Sequence, residues 1–342
     1  MSAPKFVRSI VRTCLRIGKG DKVCITAWRH MLDLAEAFAL ECRRTGGKTH
    51  VELITDELYY QTMLDLPLEY LKETDPYGLA LLDVSTAIII LPGPENPEKL
   101  KQIRRAPKRL SVAIEADKSY WDKFLEKKIR AAEISLGYVT HERARTYGFK
   151  YDEWKENVHA AMDVEYDYMH DLGKKIADML EKASEVHVTT SKGTDLTLTL
   201  EGRVAHVYDG VIDNEDIKRG AVFAALPAGY VAIAPKEGCA NGTYVSDIPE
   251  AEAGVLNWDV AWKFRNGRLI SFNGGKNVEG LRARWERAKG DKDQLGVLMI
   301  GLNPKARKGF LYNHIVLGTV SIGVGDNREF GGKLESGFGF RC

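Results

Sequence analysis

The run Thr86-Ala87-Ile88-Ile89-Ile90 decides the fold class. It has no polar face, so it reads as a strand buried on both sides, as strands of helix-covered parallel sheets are. Working outward, Val23-Cys24-Ile25 and His50-Val51-Glu52-Leu53-Ile54 come before it, and Leu110-Ser111-Val112-Ala113-Ile114 follows. Each is taken as a further short strand. A helix from Met31 to Gly46 joins the first two. Alternating strands and helices give an α/β layer with a mainly parallel sheet. This half carries neither a Gly-rich nucleotide fingerprint nor a Walker sequence.

Further upstream, Phe6, Ile10, Cys14 and Ile17 recur at helical spacing, and Gly18 and Gly20 stop the pattern. Lys5 to Gly20, with Arg8, Arg12 and Arg16, therefore reads as an amphipathic helix rather than a transit peptide. Downstream, Asp152 to Lys182 reads as one long helical stretch. It sets His159, Asp163, Asp167 and His170 on one face. Two imidazoles and two carboxylates are donors that a transition metal uses. Ligands spread over more than two turns cannot converge on one ion, so the row reads as a solvated polar stripe.

After Ala183 the period changes to two. Val186-His187-Val188-Thr189 and Leu196 to Leu200 alternate as half-buried antiparallel strands do. Val260 to Phe264 and Leu269 to Phe272 flank Asn266-Gly267, a hairpin signal. One helix is expected near Gly280 to Lys289, and Gly-rich strands run from Val297 to Phe340. The expectation is an α/β domain over residues 1–183, then a β-rich α+β domain over 184–342. A chain of 342 residues accommodates both.

Lys and Arg number 49 against 48 Asp and Glu, a net charge of +1, which points to neither nucleic acid nor an anionic membrane as partner. The longest apolar run, Ala221 to Leu226, falls far short of the roughly 18 residues of a membrane span. Cys14, Cys24, Cys42, Cys239 and Cys342 are scattered without a CxxC pair. That argues against a disulfide framework and for a reducing cytoplasm. HExxH and GxSxG motifs are absent.

Four blocks say more: SKGTDLTLTLEGR (Ser191–Arg203), LPAGYVAIAPKEGCANGTYV (Leu226–Val245), LGVLMIGLNPKA (Leu295–Ala306) and LGTVSIGVGDNREFGGKLES (Leu317–Ser336). In order and spacing they resemble the aminopeptidase T / aminopeptidase S family of metallo-aminopeptidases. The resemblance covers nearly the whole chain. It implies an α/β domain followed by a β-rich domain that holds the active site, a homodimer, and removal of N-terminal amino acids from peptides with a pair of divalent metals. A sister branch of the same fold resembles a mononuclear-iron dioxygenase.

The departures from that pattern fall on the ligands. Tyr230 stands where the resemblance implies the first metal-binding Glu, and Val297 where it implies the second. Ser321 replaces a ligand His, and Gly339-Phe340-Arg341 replaces the closing HxD. Val297 and Gly339 offer no side-chain donor, and Arg341 adds a cation where a cation is repelled. The expectation is thus no metal at these positions, with a divalent ion only if its ligands have moved.

Three readings follow. In the first, the cavity is repurposed to metal-independent chemistry on, or binding of, a small anionic, amino-acid-like or peptide-like molecule. Tyr230 serves as acid or donor, Ser321 as hydroxyl and Arg341 as clamp. Lys236, Glu237, Asn241, Asn303 and Arg328 are the candidate substrate-binding residues, with Arg307 and Lys333 beside them. In the second, His206, Asp209, Glu237, Asp247 and His314 supply displaced ligands to a working peptidase. In the third, the chain is a non-enzymatic dimeric binding protein. Cys239 reads as a packing residue and Cys342 as an exposed thiol.

Overall fold

In the computed structural model, which describes residues 4–252 and 254–342, Ala87–Leu91 lies at the centre of a five-stranded parallel sheet. The strand order is Lys48–Ile54, Lys22–Trp28, Ala87–Leu91, Arg130–Ile134, Phe223–Leu226. Ile25 and Ile89 are fully buried because helices cover both faces of the central strands. The helix Leu32–Arg44 follows a short 3-10 turn, Arg29–Met31, and buries Ala35, Phe38, Ala39 and Cys42. The N-terminal pattern is helical, as Lys5–Ser9 continuing into a π turn at Ile10–Cys14, with Phe6, Ile10, Cys14 and Ile17 buried.

Two expectations fail. Leu110–Ile114 is not a strand: it lies in the helix Pro107–Glu126, which opens with a proline in its first turn. Leu110, Val112 and Ala113 pack on Tyr60, Met63, Leu71 and Ile103. The fourth strand is instead Arg130–Ile134, whose Arg-Ala-Ala-Glu-Ile sequence has one β-branched residue. Nor is Asp152–Lys182 a single helix. It divides into Tyr151–Met162 and Tyr166–Lys182, so the four-residue stripe has no common face. His159 meets the edge of Phe6 at 5.3 Å, Asp163 pairs with Lys5 at 3.4 Å, and His170 pairs with Asp209 at 2.7 Å.

The chain divides into two units, Met1–Tyr166 with Gly210–Pro227, and Asp167–Asp209 with Ala228–Cys342. Both are discontinuous, where the sequence suggested one passage near residue 183. The second unit holds two five-stranded antiparallel sheets. One runs in the order Arg268–Asn273, Ala261–Arg265, Asn241–Val245, Asp195–Thr199, Glu185–Thr189. The other runs Gly339–Arg341, Val320–Gly325, Leu295–Gly301, Tyr230–Ile233, Ala205–Tyr208. The Asn266-Gly267 hairpin forms as read, with φ of 49° and 73° at its two turn residues. Leu196, Leu198, Trp262, Val231, Leu298, Ile322 and Phe340 belong to one core fed by both sheets.

Candidate functional site

Residues directly opposite one another in an antiparallel pair point to the same face. In the second sheet, Tyr230 faces Gly301 and Tyr208, and Ala232 faces Met299 and His206. Met299 faces Ser321, while Val297 faces Gly323, which in turn faces Arg341. Tyr230, Val297, Ser321 and Arg341 therefore share one face, and Val231, Ile233, Leu298 and Ile322 on the other fill the core. The contacts agree with this reading: a Cβ on Gly323 would lie 2.8 Å from Val297 Cγ1 and 3.1 Å from Arg341 Cγ. Glycine at 323 lets those two side chains close over the strand.

The face is largely dry. Phe330, carried on the short turn Arg328–Phe330, is 2% exposed and packs with Ala232, Ala234, Val297 and Met299 against the half-buried Tyr208 and Tyr230. Tyr230 stacks on Tyr208 with centroids 4.6 Å apart and meets His314 edge-on at 5.0 Å. Burial, then the neighbouring Tyr208 and Glu329, hold the Tyr230 phenol well above its ordinary range, with Arg341 pulling the other way. Burial and then the Arg341 charge push the His314 imidazole down to about 4. The cluster thus offers a neutral phenol, a neutral imidazole and a guanidinium, with Glu329 beside them. Such groups can donate to, accept from and clamp a small carboxylate-bearing molecule.

The other sequence candidates have contacts of their own. Lys236 pairs with Glu201 at 2.8 Å on the surface. Glu237 is held by Arg203 and by the backbone N–H of Lys333. Asn241 braces a turn on the other sheet, donating to the Cys239 carbonyl and accepting from the Asn266 N–H. Asn303 is fully buried and donates to the Ala228 carbonyl at 2.8 Å. Arg328 is exposed and pairs with Asp326 and Glu335. Ser321 is buried opposite Met299 and borders a polar cavity of about 270 Å3 shared with Glu250, Asn313 and Lys308. Burial raises the Glu250 carboxyl to about 8, against a smaller pull from Asn313.

Of the displaced-ligand candidates, Asp209 is bonded to His170 and Asp247 is exposed. His206 shares the sheet face opposite Ala232, and His314 joins the cluster itself. Sequence reasoning had no signal for Tyr208 or Phe330, which reach the face through strand register and a loop. Cys342 is buried at 5% exposure rather than an exposed thiol. Cys239 packs against Thr199, whose N–H donates to its sulfur at 3.2 Å.

The thermophilic metalloprotease (M29) family profile matches residues 2–296. The chain belongs to this family. Wild-type AmpT from Thermus thermophilus has a similar fold, with a TM-score of 0.72 at 17% identity over 99% of this chain and 91% of that one. No curated protein matches the chain. The M29 match ends one residue before Val297, so Val297, Ser321, Gly339 and Arg341 all lie beyond it. At the five positions where the sequence resemblance implies ligands, the side chains present do not by their own chemistry suit a pair of divalent ions. Two have no donor atom, one is a cation, and the other two are a neutral phenol and a hydroxyl.

Proposed function

We propose that this M29-family chain binds small peptide-like or amino-acid-like molecules at the Tyr230–His314–Arg341 cluster, without a metal pair. One observation carries the reading: Arg341 and Val297 close over Gly323 on the sheet face where the resemblance implies metal ligands. The guanidinium supplies a clamp for a carboxylate. Tyr230 supplies a donor and His314 a neutral acceptor able to take a proton. A homodimer is the assembly implied by the family resemblance. The five free cysteines suit a reducing cytoplasm. Among the described residues, no helix is long and apolar enough to cross a membrane.

A second reading is favoured by the family match itself: an aminopeptidase whose metals sit on displaced ligands, with His206 and His314 at or beside the same face. Elemental analysis of untagged protein, before and after loading with zinc, cobalt, manganese and ferrous iron, separates the two. The first reading expects no tightly held ion, and dipeptide binding that disappears in Arg341→Ala. One or two retained ions per chain, together with metal-dependent cleavage of aminoacyl amides, would establish the second instead.

A further inference from the structure

One edge of the parallel sheet in the first unit is the strand Lys48–Ile54, which is paired on one side only. It runs for seven residues in unbroken register with Lys22–Trp28 and contains neither proline nor glycine. The opposite edge, Phe223–Leu226, has four residues. Soluble proteins normally keep an edge strand short or interrupt it with bulges and prolines. This one has no such protection, and Val51 and Leu53 on it are 37% and 48% exposed.

The free hydrogen-bonding groups follow from alternation. In a β-ladder each residue turns its N–H and C=O to the same side, and the next residue turns them to the other. The Lys48 N–H donates to the Asp21 carbonyl at 2.8 Å, so Lys48, His50, Glu52 and Ile54 face the neighbouring strand. The Lys22 carbonyl accepts from the Thr86 N–H on the far side of that strand, as the same alternation requires. Thr49, Val51 and Leu53 therefore point their N–H and C=O groups outward. Among the described residues, no backbone partner meets them.

Three outward residues spaced by two make a self-complementary edge. With a two-fold axis at Val51, an antiparallel copy sets Val51 opposite the partner's Val51, Thr49 opposite the partner's Leu53, and Leu53 opposite the partner's Thr49. All are hydrogen-bonded pairs, each exchanging two N–H···O bonds. The same register sets His50 against the partner's Glu52 on both sides of the axis, in the non-hydrogen-bonded positions where side chains lie closest. His50 is exposed, and Glu52 spends one oxygen on Thr26 Oγ1 at 3.1 Å and keeps the other. Neighbouring registers do worse. An axis at Glu52 sets that carboxylate against itself, and an axis at His50 opposes two imidazoles and leaves Leu53 without a partner.

We propose that a second copy of this chain docks on this edge, joining two five-stranded sheets into one continuous sheet about a two-fold axis at Val51. The assembly stands apart from the ligand reading of the Arg341 cluster, and it gives the homodimer a defined surface.

The test is sedimentation velocity on the full chain, with oxidative cross-linking of cysteine variants. The parent should sediment as a dimer. Val51→Lys places two ammonium groups opposite each other at the axis and should raise the dissociation constant at least about tenfold, with an unchanged circular-dichroism spectrum. Val51→Cys brings two thiols onto residues about 5.5 Å apart between Cα atoms, within disulfide reach. Leu53→Cys leaves them four residues out of register, about 14 Å apart. Val51→Cys should therefore cross-link well above the parent background, and Leu53→Cys should not. A monomeric parent, a Val51→Lys dimer as tight as the parent's, or equal cross-linking of the two cysteine variants would overturn the assignment.

Discussion

The guanidinium of Arg341 lies 4.9 Å from the centre of the Phe330 ring, and its Nη2 donates to Glu329 at 2.9 Å. The ring and the carboxylate fix the position of a cation that remains 41% exposed, so it stays available to a ligand. Arg341→Met should abolish binding of small carboxylates and dipeptides while costing less than about 1 kcal/mol of stability, as exposed pairs do. Calorimetric titration and urea unfolding of the same variant check both halves. Unchanged dipeptide affinity would remove Arg341 as the clamp.

His314 gives stability a pH dependence on the acid side. Its folded pKa of about 4 lies below the ordinary 6.5, so the unfolded chain binds the proton first as pH falls. The stability associated with the neutral ring is complete above about 6.5 and is lost as pH drops through about 4. Urea midpoints measured from pH 7 to 4 should fall less steeply for His314→Gln than for the parent.

Glu250 works in the opposite direction. Its carboxyl is raised from 4.5 to about 8 by burial, so the folded state favours the protonated form. Stability is full below about 4.5 and declines as pH rises through about 8. Glu250→Gln should therefore resist urea better than the parent at pH 8, and the advantage should vanish near pH 4.5. An equal advantage at both values would mean that packing rather than ionisation is responsible.

Asn303, a substrate-binding candidate by sequence, is instead predicted to matter for folding. Its side chain donates to the Ala228 carbonyl and accepts from the N–H groups of Lys305 and Ala306 at 3.0 Å, all around a fully buried position. Asn303→Ala strands these groups and should cost about 2–3 kcal/mol. A circular-dichroism urea titration measures it.

Strands rich in β-branched residues were legible because burial on both faces leaves a run without polar positions. Ile88-Ile89-Ile90 shows this directly. Arg130–Ile134 was not legible, since alanine fills a crowded sheet centre as well as isoleucine does but carries no strand preference. Leu110–Ile114 misled for the converse reason: a short apolar run reads equally well as the buried side of a helix, and Pro107 was the cue that marked it. At the candidate site, the sequence singled out Tyr230, Val297, Ser321 and Arg341, and the structure sets these four on one sheet face. Their shared face follows from cross-strand register, and the cover supplied by Phe330 and Tyr208 is a long-range outcome that no local pattern encodes.

The strand Phe223–Leu226 completes the parallel sheet beside Arg130–Ile134, yet it is made about ninety residues later. On a ribosome adding about 5–20 residues per second, the Arg130–Ile134 backbone waits on the order of 5–20 seconds for its partner. Its inward side chains, Ala131, Ala132 and Ile134, have no exposure once folded. During that interval the strand's backbone N–H and C=O groups form an open edge flanked by these apolar side chains, the kind that pairs with other nascent chains. Production of this protein should therefore gain from slow, cool expression or a holding chaperone, and any truncation that stops before residue 223 should be prone to aggregate.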